Sequence, residues 1–213
     1  AGEVLGIAGI AGNGQIELMD ALSGETGSPL AGSIRILGTN VIDLNPTARR
    51  SLGAVFVPEE RIGHAAVADM TLVDNSYLTG DTRMNFSRRG LIDWTAVTRF
   101  AQKVVQDFDV RTTGVDALAS SLSGGNLQKF IVGREMLQRP GVLIVSQPTW
   151  GVDAGAAADI HRAIRSLAAA GSAILTTSQD LDEILALCDR VAVVSQGTLS
   201  TVHPIREVTP EPI

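Results

Sequence analysis

The sequence predicts an α/β fold with a three-layer core and an inserted helical lobe. Short apolar runs typical of buried parallel strands alternate along the chain with helical segments. The alternation stops over residues 71–136, where strand signals are few and helical patterns predominate. With 213 residues, of which 45% are apolar, the chain can bury one sizeable core.

The elements follow from the apolar pattern in chain order. Predicted strands cover residues 4–10, 33–37, 52–57, 143–145, 173–176 and 191–194. Predicted core helices cover residues 15–22, a short segment from Pro46, 156–169 and 180–187. We therefore divide the chain into a first core part (1–70), the helical lobe (71–136), a second core part (137–200) and a flexible tail (201–213) that carries Pro204, Pro210 and Pro212.

Composition excludes several classes of function. The net charge of −6 leaves no broad basic surface, so we do not expect nucleic acid as a partner. Cys188 is the only cysteine, which excludes an intramolecular disulfide and a cysteine metal cluster, and we expect it to be a small buried residue. No apolar run approaches the roughly 20 residues of a membrane span. The chain starts abruptly in a strand, which predicts a domain of a longer polypeptide.

A glycine-rich segment between the first strand and the first helix has the spacing of a phosphate-binding loop. The candidate phosphate contacts are Gly9, Gly12, Asn13, Gly14 and Gln15. The usual loop continues with Lys, which reaches the outer phosphates, and with Ser or Thr, which ligates magnesium. Here those positions hold neutral Gln15 and apolar Ile16. The loop amides can still form a generic anion site at the helix N-terminus, or the turn can be purely structural.

The strand over residues 143–145 ends in Ser146 and Gln147. P-loop ATPases normally end this strand in Asp, which holds the magnesium shell, and in one large subclass a Glu follows that polarises the attacking water. Neither Ser146 nor Gln147 carries a charge or can act as a base near neutral pH. We therefore predict no metal ligand and no catalytic residue in this site.

The segment Leu-Ser-Gly-Gly at residues 122–125, followed by Asn-Leu-Gln-Lys, is intact by contrast. Ser123 can N-cap the following helix, whose free amides and positive dipole end suit an anion. Gly124 and Gly125 let the backbone approach a ligand closely. The alternative is an ordinary turn before an amphipathic helix. We expect Gln128 and Lys129 to be exposed polar positions of that helix.

The order of these motifs resembles the nucleotide-binding domain of ABC transporters over nearly the whole chain. The stretch Gln-Pro-Thr-Trp-Gly-Val-Asp at residues 147–153 is similar to the second, C-terminal such domain of bacterial sugar and nucleoside importers, which carry two domains in tandem. Short matches at residues 12–15, 57–61, 89–92 and 108–111 favour the nucleoside branch.

The resemblance assigns roles to further residues. In the family, two domains sandwich ATP head to tail, and the signature of one domain, here Ser123, Gly124 and Gly125, caps the triphosphate held by the other. Asp153 matches the D-loop, which crosses between the sites, and it is also an expected helix N-cap. Gln179 takes the switch position where active domains carry His. The lid glutamine position falls on Pro58 or Glu59.

Five expected roles are changed, at Gln15, Ile16, Ser146, Gln147 and Gln179. The resemblance therefore implies a degenerate ATP-binding domain, with weak or no magnesium in its own site. Its signature would complete the site of an N-terminal nucleotide-binding domain of the same polypeptide, where ATP and magnesium bind. The alternatives are a stand-alone soluble ABC-type ATPase and a docking scaffold without a nucleotide role.

The resemblance also implies partners at the cytoplasmic face of the bacterial inner membrane, with the domain bound peripherally. Transmembrane permease subunits would contact the loop over residues 59–70 and the segment 77–89, and a solute-binding protein would act indirectly. Residues 86–89 are the most docking-like piece, although Arg88 and Arg89 can equally belong to a solvated basic loop.

Overall fold

The computed structural model describes residues 2–25 and 32–208 and confirms the α/β core with its helical lobe. Within these residues the strands are β1 (Glu3–Ala8), β2 (Arg35–Ile36), β3 (Thr39–Asn40), β4 (Ala54–Val57), β5 (Ser87–Arg88), β6 (Leu91–Ile92), β7 (Val142–Ser146), β8 (Ala173–Ser178), β9 (Arg190–Ser195), β10 (Thr198–Leu199) and β11 (His203–Pro204). The helices are α1 (Gln15–Ser23), α2 (Pro46–Leu52), α3 (Leu72–Met84), α4 (Trp94–Asp107), α5 (Gly124–Met136), α6 (Ala154–Ala169) and α7 (Leu181–Leu187).

The central sheet has seven strands, with β4, β7, β8, β1 and β9 side by side and parallel. Strands β10 and β11 both pair antiparallel with β9. The predicted strand over residues 33–37 is wrong in extent, because only Arg35–Ile36 forms a strand and pairs with β3 in a separate hairpin. The first strand ends at Ala8, two residues before the end predicted from the sequence at Ile10. At Gly9 the backbone passes so close to β9 that a Cβ would lie 2.8 Å from the carbonyl oxygen of Val194.

Apolar side chains of the central strands alternate between two buried layers. In β7, Leu143 and Val145 pack with residues of α5, α6 and α7 on one face of the sheet. Ile144 points to the other face and packs with Met19 of α1 and Ile36 of β2. Burial on both faces explains why the strands read as continuous apolar runs in the sequence.

The helical lobe consists of α3, the β5–β6 hairpin, α4 and α5. Phe86 is only 3% exposed, and its ring lies 5.6 Å from that of Phe100, centroid to centroid. A Cβ on Gly80 would lie 2.8 Å from the same ring. Within the segment 86–89, the Phe86 ring therefore belongs to the lobe core, while Arg88 and Arg89 are exposed.

Buried charges at the end of α5 join the lobe to the core. Arg134 donates to the carbonyl oxygens of Asn75 at 3.1 Å and Ala65 at 2.8 Å. The Glu135 carboxylate pairs with Arg134 at 2.9 Å and with Arg50 of α2 at 2.6 Å. Burial alone would raise the pKa of Glu135, but the two guanidinium groups outweigh it and hold the pKa below its usual value.

The chain end is partly ordered where the sequence predicts a flexible tail over residues 201–213. His203 and Pro204 pair with β9, and Ile205–Glu207 form a short 3₁₀ turn. Residues 209–213, with Pro210 and Pro212, lie outside the described residues. Among the helices that the structure describes, none has both the length and the apolar character needed to cross a bilayer.

Candidate functional site

The phosphate loop (residues 9–16) joins β1 to α1, and Gln15 turns back onto it. The Gln15 Nε2 atom donates to the Ile10 carbonyl oxygen at 2.9 Å, and Gln15 Oε1 accepts from the Asn13 backbone N–H at 3.2 Å. Asn13 Nδ2 donates to the same Ile10 carbonyl at 3.0 Å. The side chain in the lysine position is therefore engaged with the loop itself, and it also occupies one amide that an anion would use.

The same loop is fastened to the turn between β9 and β10. Asn13 Oδ1 accepts from the Gln196 N–H at 2.9 Å, and the Asn13 carbonyl accepts from the Gly197 N–H at 3.0 Å. Gly14 has a positive φ of 108°, and a Cβ there would lie 3.3 Å from Gly197 Cα. Gly14 is thus required both by its backbone conformation and by this close approach.

The ends of β7 and β8 bring Ser146, Gln147 and Gln179 to the phosphate loop. Ser146 Oγ accepts from Thr177 Oγ1 at 2.9 Å. Gln147 Oε1 accepts from the Gln179 backbone N–H at 3.4 Å. The neutral amide at the base position is therefore held against β8.

The space left between these groups is small. A cavity of about 60 Å³ lies between the phosphate loop and the strand ends, lined among others by Gly12, Ile16 and Gln179. Within residues 2–25 and 32–208, no group of three or more His, Cys, Asp or Glu side chains is arranged to hold a metal ion.

A second cavity of 440 Å³ opens beside the first, lined by Ile16 and Trp150 together with both lid candidates, Pro58 and Glu59. Of these two, Glu59 also lines the smaller cavity next to Gln15. Ile16 is 63% exposed and Trp150 is 64% exposed, so this second cavity presents apolar surface.

A buried carboxylate behind the strand ends was not predicted from the sequence. Glu183 accepts from Thr149 Oγ1 at 2.5 Å and from Ser178 Oγ at 2.6 Å, and it lies 3.2 Å from His161 Nε2. Burial alone would raise the pKa of Glu183, but these hydrogen bonds outweigh it and hold the pKa below its usual value. The sequence signal that could have indicated this carboxylate is a pair of hydroxyl residues: Thr149 follows β7, and Ser178 ends the neighbouring parallel strand β8.

The signature turn (residues 123–125) begins α5 as the sequence predicts. Ser123 Oγ accepts from the Asn126 N–H at 3.4 Å and from Asn126 Nδ2 at 2.8 Å. Asn126 Oδ1 in turn accepts from the Arg111 N–H at 2.8 Å. Ser123 and Gly124 are exposed, so the N-terminal end of α5 is open to a ligand from outside the domain.

The expectation that Gln128 and Lys129 are exposed is wrong. Gln128 is 2% exposed, and its Nε2 atom donates to the carbonyl oxygens of Pro148 at 2.9 Å and Gln147 at 3.4 Å. Lys129 Nζ donates to the Asp109 backbone carbonyl, and its side chain is 12% exposed. One turn after its N-terminus, α5 faces the end of β7, and a polar residue there can satisfy the carbonyls that leave the sheet.

The D-loop (residues 150–153) packs beside the signature turn. A Cβ on Gly125 would lie 3.6 Å from the Gly151 carbonyl oxygen. Asp153 Oδ1 accepts from the Ala156 N–H at 3.0 Å, which confirms the predicted N-cap of α6 and lowers the pKa of Asp153. The signature turn and the D-loop thus form one exposed surface, while the phosphate loop and the two strand ends form another.

A glycine-rich turn leads from the central parallel strand β1 into the N-terminus of α1, and the ends of β7 and β8 lie beside it. This is the arrangement of P-loop nucleotide-binding domains.

Comparison with known proteins gives the family. The sequence profile of the family described as ABC transporter matches residues 1–150, and the chain belongs to this family. It is 39% identical over 202 residues to the nucleoside import ATP-binding protein NupA of Lactococcus lactis, covering 95% of the chain and 40% of that protein. It is 36% identical to the guanosine import ATP-binding protein NupO of Bacillus subtilis, covering 96% of the chain and 40% of that protein.

A ribose import ATP-binding protein of Rhizobium johnstonii is 36% identical, with 99% of the chain and 40% of that protein covered. The chain therefore spans about 40% of the length of these relatives. The fold is that of a dimeric ATP-binding cassette bound to ADP and Pi in a post-hydrolysis state, with a TM-score of 0.81 at 18% identity. That match covers 97% of the chain and 87% of the solved structure.

Proposed function

We propose that the chain is the second, C-terminal nucleotide-binding domain of an ABC importer for nucleosides or sugars. In this proposal its signature turn completes the ATP site of the N-terminal domain of the same polypeptide. The observation that carries it is the contrast between an open signature turn and a phosphate loop engaged with its own Gln15. The 40% coverage of import ATP-binding proteins fits one of two tandem domains.

The domain's own site is expected to hydrolyse no ATP. Gln15 supplies no charge to the outer phosphates, and Ser146 and Gln147 supply neither a magnesium ligand of carboxylate type nor a base. Removing a single preorganised charge-stabilising group from an active site typically costs about 10²–10³ in rate. Magnesium would be bound weakly or not at all, because apolar Ile16 takes the position of the ligating hydroxyl and neutral Ser146 that of the carboxylate.

In this proposal the signature turn binds the triphosphate on the side that faces away from the phosphate loop of the N-terminal domain. Ser123 caps α5, and the exposed helix end offers backbone amides and a positive dipole end to an incoming phosphate. The neighbouring D-loop, fixed by the Asp153 cap, would lie between the two sites. ATP and magnesium would be held by the N-terminal domain.

Permease subunits would dock on the connecting loop (residues 59–70) and on the lobe. Within the lobe segment, the exposed Arg88 and Arg89 are available for such contact, whereas Phe86 is buried. A solute-binding protein would act through the permease, and the domain would lie at the cytoplasmic face of the membrane. The net charge of −6 gives no support for a nucleic-acid partner.

The test is the ATPase activity of the intact two-domain protein with its permease, with Ser123→Arg in this domain. Arginine obstructs the signature turn without touching the catalytic residues of the N-terminal domain, so activity should fall about 100-fold or more. The matched control is Ser166→Arg, on an exposed face of α6 away from the signature turn. Unchanged activity in Ser123→Arg would favour the docking scaffold over the proposed role.

A second experiment separates the two sites. Replacing the phosphate-loop lysine of the N-terminal domain should abolish turnover, because this domain supplies no active site of its own. Substantial remaining turnover would assign hydrolysis to the present chain and support the alternative of a self-sufficient ATPase.

A further inference from the structure

We infer that Arg61 is a positioning residue that holds the signature turn and the D-loop to the connecting loop, an inference that rests on the proposed function. Arg61 lies four residues beyond the end of β4 in that loop. Its Nη2 atom donates to the Trp150 carbonyl oxygen of the D-loop. A single side chain therefore crosses from the loop beside the domain's own site to the surface that would face the partner.

The two glycines next to Arg61 show how closely it is fitted. A Cβ on Gly124 would lie 2.8 Å from Arg61 Nη1, and a Cβ on Gly151 would lie 3.0 Å from Nη2. Gly151 also has a positive φ of 65°. The guanidinium can lie this close to the signature turn and the D-loop because neither Gly124 nor Gly151 has a side chain.

The connecting loop that carries Arg61 is also bonded to the C-terminal end of α5, the helix that begins at the signature turn. The Arg61 carbonyl accepts from the Ala66 N–H at 2.7 Å, and Arg134 donates to the Ala65 carbonyl at 2.8 Å. Arg134 belongs to the last turn of α5, while Gly124 is its first residue. The connecting loop thus contacts both ends of α5, so that a displacement of the loop displaces the signature turn.

Arg61 makes its hydrogen bond to a neutral acceptor, the Trp150 carbonyl. Burial lowers the pKa of Arg61, but a guanidinium remains charged at neutral pH. Among the described residues, no carboxylate forms an ion pair with it. The Trp150 carbonyl therefore orients the Arg61 guanidinium. In this position the guanidinium sets the distance between the signature turn and the D-loop.

The test compares kcat and KM for ATP in the intact two-domain protein with its permease. We expect Arg61→Gln to lower kcat by about 10- to 100-fold, since a small misplacement of a group that completes an active site costs this much. KM for ATP should change by less than about threefold, because ground-state binding resides in the N-terminal domain. Arg61→Lys should recover part of kcat, since one amine can bond Trp150 but cannot span both loops.

The control is Arg99→Gln, at an exposed position of α4, which should leave both constants unchanged. A double-mutant cycle with Gly124→Ala adds a readout that general destabilisation would not give. The alanine Cβ would displace the guanidinium, so the losses in Arg61→Gln and Gly124→Ala should be less than additive.

The outcomes separate the inference from the proposed function. If Ser123→Arg abolishes ATPase activity while Arg61→Gln keeps a normal kcat, the inference is overturned and the proposed function stands. Normal activity in both variants overturns the proposed function, and the inference falls with it. Fully additive losses with Gly124→Ala, or an equal loss in Arg99→Gln, also contradict the positioning role.

Discussion

Replacing Gln128 by leucine should destabilise the domain although the two side chains are similar in size. The Gln128 Nε2 atom is the donor to the Pro148 carbonyl, in a position that is 2% exposed. The Gln147 carbonyl, by contrast, also accepts from the Trp150 N–H at 3.1 Å and keeps that bond. Leucine therefore leaves one buried carbonyl, that of Pro148, without its donor.

The expected loss follows from that single orphaned acceptor. A buried polar group without its partner costs about 1–3 kcal/mol, and leucine avoids the cavity that alanine would create. In a chain of this size each kcal/mol lowers the melting temperature by about 2–4 °C. Urea unfolding should show a lower midpoint with an unchanged slope, because the surface exposed on unfolding is nearly the same.

The matched control is Gln102→Leu, the same substitution at an exposed position of α4. Such surface changes usually stay within about 0.5 kcal/mol. A Gln128→Leu loss no larger than that of Gln102→Leu would refute the assignment of Gln128 as the donor that satisfies the end of β7.

Three further predictions concern buried groups. Glu135→Gln leaves the buried Arg134 without its carboxylate and should cost about 3–5 kcal/mol in urea unfolding, whereas a loss below 1 kcal/mol would contradict the buried pair. Because the folded-state pKa of Glu183 lies below its usual 4.5, its stabilisation is complete above that pH and is lost as the pH falls below it. The stability difference between wild type and Glu183→Gln should therefore shrink from pH 7 to pH 4, and a constant difference would argue against the shift. The thiol of Cys188 is 2% exposed and its pKa is raised to about 12 by burial, so iodoacetamide at pH 8 should modify it only after unfolding, and rapid labelling of the folded protein would contradict this burial.

The fold was predictable because the central strands are buried on both faces and leave continuous apolar runs in the sequence. The strand at residues 33–37 was overestimated because Arg35–Ile36 lies in a separate hairpin, where the alternating pattern does not set the length of pairing. The burial of Phe86 was not predicted, because a single aromatic residue beside two arginines has no periodicity to show which neighbours it packs against.

The site residues that were predicted correctly are those whose hydrogen bonds go to backbone groups within a few residues of them in the sequence. Ser123 and Asp153 cap helices as expected, since N-capping depends on local sequence alone. Gln128, Glu183 and Arg61 were missed, because each bonds residues that are remote in sequence and meet it only in the folded chain.

The hydrogen bonds of Arg134 set a rule for building chimeras from related domains. Its guanidinium bonds backbone carbonyls of the connecting loop and α3, and its neighbour Glu135 pairs with Arg50, which lies in the first part of the core. A graft of the lobe cut at its sequence boundaries, residues 71 and 136, would separate Arg134 from Ala65 and Glu135 from Arg50. An exchange that preserves the buried pair must carry α2 and the connecting loop as well, so the transplantable unit is larger than the lobe.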